Sequence, residues 1–189
     1  MSVAASAQVS PGPSDVDVVV VPMRRRHLRA VLRIEARVCP RPWTLALFLS
    51  ELAAGPDRHY LVARAGGVVV GYAGMITGAD EGHVTTLAVD PAWHRRKVAS
   101  RLLLGLVQWG VDQGCAGLTL EVRMGNVAAQ ALYRQFGFVP AGVRRGYYVE
   151  TDEDALIMWA HDAGTSAYAG RLAAIAALLP VATAVGATT

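Results

Sequence analysis

Apolar positions recur at two spacings along the chain, and the switches between them mark out its elements. Val16 to Val21 is a short β-rich run closed by Pro22. Residues 24 to 38 carry Leu28, Val31, Leu32 and Ala36 at helical spacing, with arginines between them. Cys39-Pro40-Arg41-Pro42 breaks that pattern. Trp43 follows, and Thr44 stands where it can cap a second helix, Leu45 to Ala53, whose apolar side is Leu45, Phe48, Leu49 and Leu52. Tyr60 to Arg64 and Val68 to Thr77 read as strands joined by the turn Ala65-Gly66-Gly67. A second turn, residues 78 to 82, leads into a strand over 83 to 89, with Val84, Leu87 and Val89 beside Thr85 and Thr86. Asp90-Pro91 ends it. Val98, Leu102, Leu103, Leu106, Val107 and Gly110 then predict a helix to about Gln113, with Gly114 as its terminator. Leu118 to Arg123 is a strand, and Asn126 opens a helix to Gln135 with Val127, Ala131, Leu132 and Phe136 expected inward. Phe138 to Val143 and Ala155 to Trp159 are the last strands.

Hairpins first and strands alternating with helices afterwards predict an α/β (α+β) domain, a mixed sheet with helices on both faces. A ligand in such a sheet sits at the carboxyl ends of strands where the topology switches, here the end of the 83–89 strand. Residues 16–162 carry this pattern. Residues 1–15 are rich in Ala, Ser, Pro and Gly and are expected to be a disordered tail. Residues 163–189 form an Ala-rich C-terminal tail, read as either a surface helix or a loose segment. Its apolar run, Leu172 to Val185, is about 14 residues against the roughly 20 a membrane span needs, and Pro180 interrupts it.

Composition narrows the classes. Hydrophobic residues make up 53% of 189, enough for a sizeable core. Eighteen Lys and Arg against fifteen Asp and Glu give a net charge of +3, a mild excess with no aromatic-interleaved basic stripe, so no nucleic-acid partner is expected. Cys39 and Cys115 give no disulfide framework and no signal peptide is visible, so a cytoplasmic location is expected. His27, His59, His83, His94 and His161 have no metal-ligand spacing, so no metal is expected.

The loop after the 83–89 strand carries His94, Arg95, Arg96 and Lys97 just before a helix start. A helix start offers free N–H groups and a partial positive charge, so this is either a seat for a phosphorylated ligand or a solvated basic turn.

Several motifs coincide with this loop. They are Leu87-Ala88-Val89-Asp90-Pro91, His94 to Ala99, Leu120-Glu121-Val122-Arg123 with Asn126, Ala131-Leu132-Tyr133, Phe136-Gly137-Phe138, and Arg144-Arg145-Gly146-Tyr147-Tyr148. Together, from about Val18 to Asp162, they resemble the GNAT superfamily of acetyl-CoA-dependent N-acetyltransferases, and within it the bacterial ribosomal-protein-alanine N-acetyltransferases. That resemblance implies a sheet with a splayed central strand pair. It implies acetyl-CoA along the backbone of Leu87, Ala88 and Val89, with the pyrophosphate on the loop of Arg95, Arg96, Lys97, Val98, Ala99 and Ser100. Asn126 would also contact the cofactor, and its other role is to cap its own helix. Lys97 stands where the family pattern has a glycine, which matters if the position needs φ > 0.

By the same resemblance, Glu121 is the base and Tyr133, twelve residues on, the acid that protonates the departing thiolate. The other reading of Glu121 is a surface carboxylate paired with Arg123 or Arg144. Tyr133 falls off the Val127/Ala131 stripe enough to reach a cleft, although a helix tyrosine is more often packing. Trp43, Arg144, Tyr147 and Tyr148 would flank the acceptor groove; otherwise Trp43 is a hydrophobic staple and the tyrosines are strand residues. Gly146 replaces an asparagine common there.

The implied acceptor is a protein N-terminal α-amine, that of a ribosomal-protein alanine first of all. An α-amine with pKa about 8 is roughly one-tenth neutral at pH 7, whereas a lysine near about 10.4 is almost wholly charged. Other outcomes are acetylation of a small amine such as an antibiotic, acetylation of protein lysines, or an acetyl-CoA-binding module without catalysis.

Overall fold

The computed structural model describes residues 17–179, so the expected N-terminal tail, 1–15, and the last ten residues of the C-terminal one lie outside the described residues. The described chain forms strands β1 (Val18–Pro22), β2 (Arg58–Ala65), β3 (Val68–Gly78), β4 (Glu81–Val89), β5 (Gly117–Arg123), β6 (Val139–Tyr148) and β7 (Glu153–Ala160). Its α-helices are α1 (Leu28–Val38), α2 (Leu45–Ala53), α3 (Val98–Asp112), α4 (Val127–Gln135) and α5 (Ser166–Ala177). The strands make one sheet in the order β1-β2-β3-β4-β5-β7-β6. Neighbours are antiparallel except β4 and β5, which run parallel. The predicted mixed sheet with helices on both faces is therefore the observed fold.

Each face is closed by its own core. On one, Leu28, Val31, Ile34 and Phe48 cover Tyr60, Val62, Tyr72 and Ala88. On the other, Leu102, Leu103, Leu106 and Val107 of α3 pack on Ala63, Ala73, Met75, Val84, Leu118, Leu120 and Met158. Tyr168 and Leu172 of α5 are buried in this second core, and Tyr168 Oη donates to the Phe136 carbonyl at 2.9 Å. Over residues 166 to 177 the C-terminal segment is thus a packed helix.

Two helix faces differ from expectation. In α1 the buried residues are Leu28, Val31, Ile34 and Glu35, whereas Ala36 is exposed. In α4 the buried ones are Gln130 and Tyr133, with Val127 67% exposed and Ala131 also outside. Alanine has so little apolar area that it cannot set a helix's rotation against a tyrosine or an isoleucine.

The feature that makes the site is a separation of strands. β4 and β5 pair only from Glu81↔Gly117 to Val84↔Leu120. Beyond that both strands continue, β4 along β3 and β5 along β7, with no partner between them. The pairing stops where β4 carries a bulge: Val84 faces Met75, Thr86 faces Gly74, and Thr85 is the extra residue. Across the bulge, a Cβ at Gly74 would overlap the Tyr60 ring, so only glycine fits there.

Candidate active site

The separated strands enclose a cleft of about 930 Å³. Its walls include Leu87, Ala88 and Val89 from β4, Glu121 from β5, Tyr133 and Asn126 from α4 and its cap, Trp43 from the α1–α2 loop, and Tyr147 and Tyr148 from β6. These residues are far apart in sequence, and the splay brings them around one space.

On the β4 side the main chain itself is the surface. The Asp90 N–H bonds the Val70 carbonyl of the β3 chain at 2.9 Å, so by alternation Leu87 and Val89 turn their N–H and C=O groups to the open edge. A His94 ring nitrogen sits 3.1 Å from the Val89 carbonyl there. An extended amide-bearing ligand can add to this edge as a strand does.

At the end of β4 the basic loop leads into α3. The Arg101 N–H bonds the Lys97 carbonyl at 3.0 Å, so the amides of Val98, Ala99 and Ser100 precede the first helical bond and have no acceptor within α3. Lys97 is the N-cap and gives no side-chain cap. Its backbone is left-handed, φ 60° and ψ 14°, as is that of Arg95 at φ 61°. The expected glycine site thus has the conformation that favours glycine. Val98 and Ser100 are buried as whole residues. Arg96 lies over the Trp93 ring at 4.8 Å.

Glu121 occupies the β5 wall. Its Oε1 is 3.3 Å from Arg144 Nη2 and its Oε2 3.2 Å from His83 Nε2. The carboxylate is thus both in the cleft and paired with Arg144. Arg123 is engaged elsewhere, with Glu150 at 2.7 Å and Glu153 at 3.4 Å, and with the Tyr148 ring 3.8 Å below its guanidinium. Tyr133 lies on the buried stripe of α4, not off it, and still lines the cleft. Its ring meets Phe138 edge-on at 6.0 Å. Burial pushes its phenol above the usual tyrosine value, with the nearby Tyr148 adding to the rise.

Another wall of the cleft is built on the segment joining α1 to α2. Trp43 precedes the cap Thr44, whose hydroxyl accepts from the Leu47 N–H at 3.2 Å, and its ring packs on Phe48 at 5.2 Å. That is a hydrophobic staple. Buried Glu35 accepts the Trp43 N–H at 2.9 Å through one oxygen and the Cys39 thiol at 3.2 Å through the other. Burial, and then that hydrogen bond, pushes the Cys39 thiol up to about 12. Arg144 stands over Tyr147 at 5.7 Å, and Gly146 holds φ 59°, a conformation glycine and asparagine both tolerate. Asn126 Oδ1 accepts the Ala129 N–H at 3.1 Å, so it caps α4 while facing the cleft.

Residues 28–138 match the Acetyltransferase (GNAT) family. The chain belongs to this family. It is an acyltransferase, and the acyl donor of GNAT enzymes is acetyl-CoA. Over 133 residues it is 37% identical to the ribosomal protein bS18-alanine N-acetyltransferase of Escherichia coli K12, an alignment covering 69% of this chain and 88% of that one. It is 45% identical over 122 residues to the N-alpha-acetyltransferase RimI of Mycobacterium tuberculosis, covering 62% and 74%. The crystal structure of the E. coli ribosomal-protein-S18-alanine N-acetyltransferase is similar with a TM-score of 0.69 and 34% identity, over 75% of this chain and 92% of that one. The splay of β4 from β5 is thus that of a GNAT sheet.

Sequence reasoning misses several cleft residues, among them His83 and Glu35. Glu35 was hidden by the neighbouring arginines, which marked its helix face as solvated. His83 stood in a strand with no partner visible until β5 came alongside. Among the described residues no helix is long and apolar enough to cross a membrane, and no three His, Cys, Asp or Glu side chains form a metal-binding group.

Proposed function

We propose that this chain transfers acetyl from acetyl-CoA to the α-amine of a protein N-terminus, the alanine of a small-subunit ribosomal protein, in the cytoplasm. What carries the reading is that Glu121 and Tyr133 line the same cleft, at the point where β4 and β5 part. The named activities of the relatives agree with it. The donor's amide arm lies along the open edge of Leu87 and Val89. Its phosphates face the amides of Val98, Ala99 and Ser100 and the cations Arg95, Arg96 and Lys97. The peptide enters past Trp43, Tyr147, Tyr148 and Arg144.

Glu121 takes a proton from the incoming ammonium through a water, which frees the nitrogen lone pair for the acetyl carbon. The new C–N bond forms as the C–S bond breaks. Tyr133 hydrogen-bonds the sulfur as its charge grows and then gives it a proton, and the second proton that the acylated nitrogen sheds to become an amide returns through water to the phenolate. The phenol is a weak acid here, but the burial that raises it also raises a thiol in the same cleft, so the two are compared in one medium.

The test is acetyl transfer to a peptide beginning with the alanine of the ribosomal protein, run beside a lysine peptide and a panel of aminoglycosides. Turnover is expected on the first, and mass spectrometry of cellular N-termini should lose that acetyl group when the gene is removed. Faster transfer to an aminoglycoside or a lysine would overturn the acceptor assignment.

A further inference from the structure

The environment of Glu121 raises a question its role as a base leaves open: where its proton goes. The Glu121 side chain is only 10% exposed. Arg144 lies against one oxygen and His83 against the other. Tyr133, its partner across the reaction, is buried. The proton it collects leaves either through cleft water or through a group that touches it.

His83 is the titratable group that does so. It lies on β4 one residue before the last β4–β5 pair, Val84↔Leu120, so it stands at the vertex of the splay. Its Nε2 is 3.2 Å from Glu121 Oε2, and its side chain is 38% exposed, nearly four times as open as the carboxylate. Both side chains line the cleft. Arg144, on the other oxygen, leaves Oε2 to the histidine.

We infer that His83 is a proton relay that empties Glu121 between turnovers, so that the working base of this chain is the His83–Glu121 pair. The ammonium N–H bond breaks and the proton passes to the Glu121 carboxylate. The resulting acid gives it across the 3.2 Å gap to the neutral imidazole at Nε2. The imidazolium then releases a proton to bulk water or buffer. Exchange with solvent returns the ring to the tautomer with Nε2 free, so both residues are restored for the next amine. An imidazole has two ring nitrogens, so it can take a proton on the face toward the carboxylate and release one from the other.

The inference rests on the proposed reaction, and the experiment separates the two. His83→Gln and His83→Asn are compared with Glu121→Gln, using acetyl-CoA and the alanine peptide, in low and in high buffer. For both histidine variants kcat is expected to fall about tenfold, less than the roughly hundredfold or more that loss of the base itself would cost, with the peptide KM within twofold of wild type. Added free imidazole should restore kcat in the histidine variants and do nothing for Glu121→Gln. A wild-type kcat in His83→Gln at low buffer overturns the relay. So does a loss that imidazole does not rescue, or one that appears as a raised KM, since both mark a residue that only shapes the cleft. A wild-type rate in Glu121→Gln overturns the underlying reaction instead. Unchanged melting temperatures identify the rate effects as chemical.

Discussion

Arg95 and Lys97, two residues apart in the loop before α3, both hold left-handed backbone, at φ 61° and 60°. A side chain bearing Cβ in that region costs about 1–2 kcal/mol per residue. The loop therefore holds a backbone that glycine adopts more easily while presenting two exposed cations.

Replacing Lys97 by Gly should stabilise the fold by about 1 kcal/mol, because the strain is removed at little cost elsewhere. Chemical denaturation measures it. The double variant Arg95→Gly/Lys97→Gly should bind acetyl-CoA with a flatter dependence on salt, since two charges near the phosphates are gone. An unchanged salt slope in calorimetric titrations would show that these side chains do not face the phosphates.

Tyr133→Phe should lower kcat by at least about a hundredfold while leaving the KM for acetyl-CoA within a few-fold. The ring contact with Phe138 survives the change, so the melting temperature should hold. Loss of kcat with an intact fold assigns the effect to the hydroxyl.

Tyr72 is fully buried on β3 and its hydroxyl has no hydrogen-bond partner. Tyr72→Phe removes an unsatisfied polar group and leaves the edge-on contact with Phe48 at 5.7 Å. Stability should rise by about 1 kcal/mol, as read from urea midpoints. A fall would mean that the hydroxyl has a partner such as a buried water.

Acid should destabilise the protein through His27 and His59. Burial lowers both, and for His27 the charges of Arg26, Arg64 and Arg24 add to it. The unfolded chain therefore binds more protons below the ordinary imidazole value of about 6.5. Stability from these groups is present above about pH 6.5 and is lost as pH falls through their folded values. His59→Phe, which keeps a ring against Trp109 at 4.7 Å, should flatten that slope in a pH series of denaturant melts.

The succession of elements was readable because turn residues and apolar spacing are local properties. Thr44 capping α2, Asn126 capping α4 and the break at Asp90-Pro91 all follow from side chains acting on their own backbone. The rotation of α1 and α4 was not readable in this way. Ile34 and Glu35 turn inward because the sheet and the Trp43 loop meet them there, and Val127 and Ala131 turn outward because Tyr133 and Phe136 take the core. The odd step from Val84 to Leu87, where alternation calls for an even one, was the visible trace of the bulge at Thr85.

The sequence by itself determined a mixed sheet with a basic turn after its central strand, and its resemblance to the GNAT family singled out Glu121 and Tyr133. Tertiary structure alone decided that β4 and β5 part after Val84↔Leu120, that Glu121 lies between His83 and Arg144, and that Tyr133 reaches the same space while buried. The reason is range. Caps and turns depend on neighbours in the chain, whereas a cleft depends on which strands fail to pair, and that is settled only when segments some forty residues apart compete for the same edge.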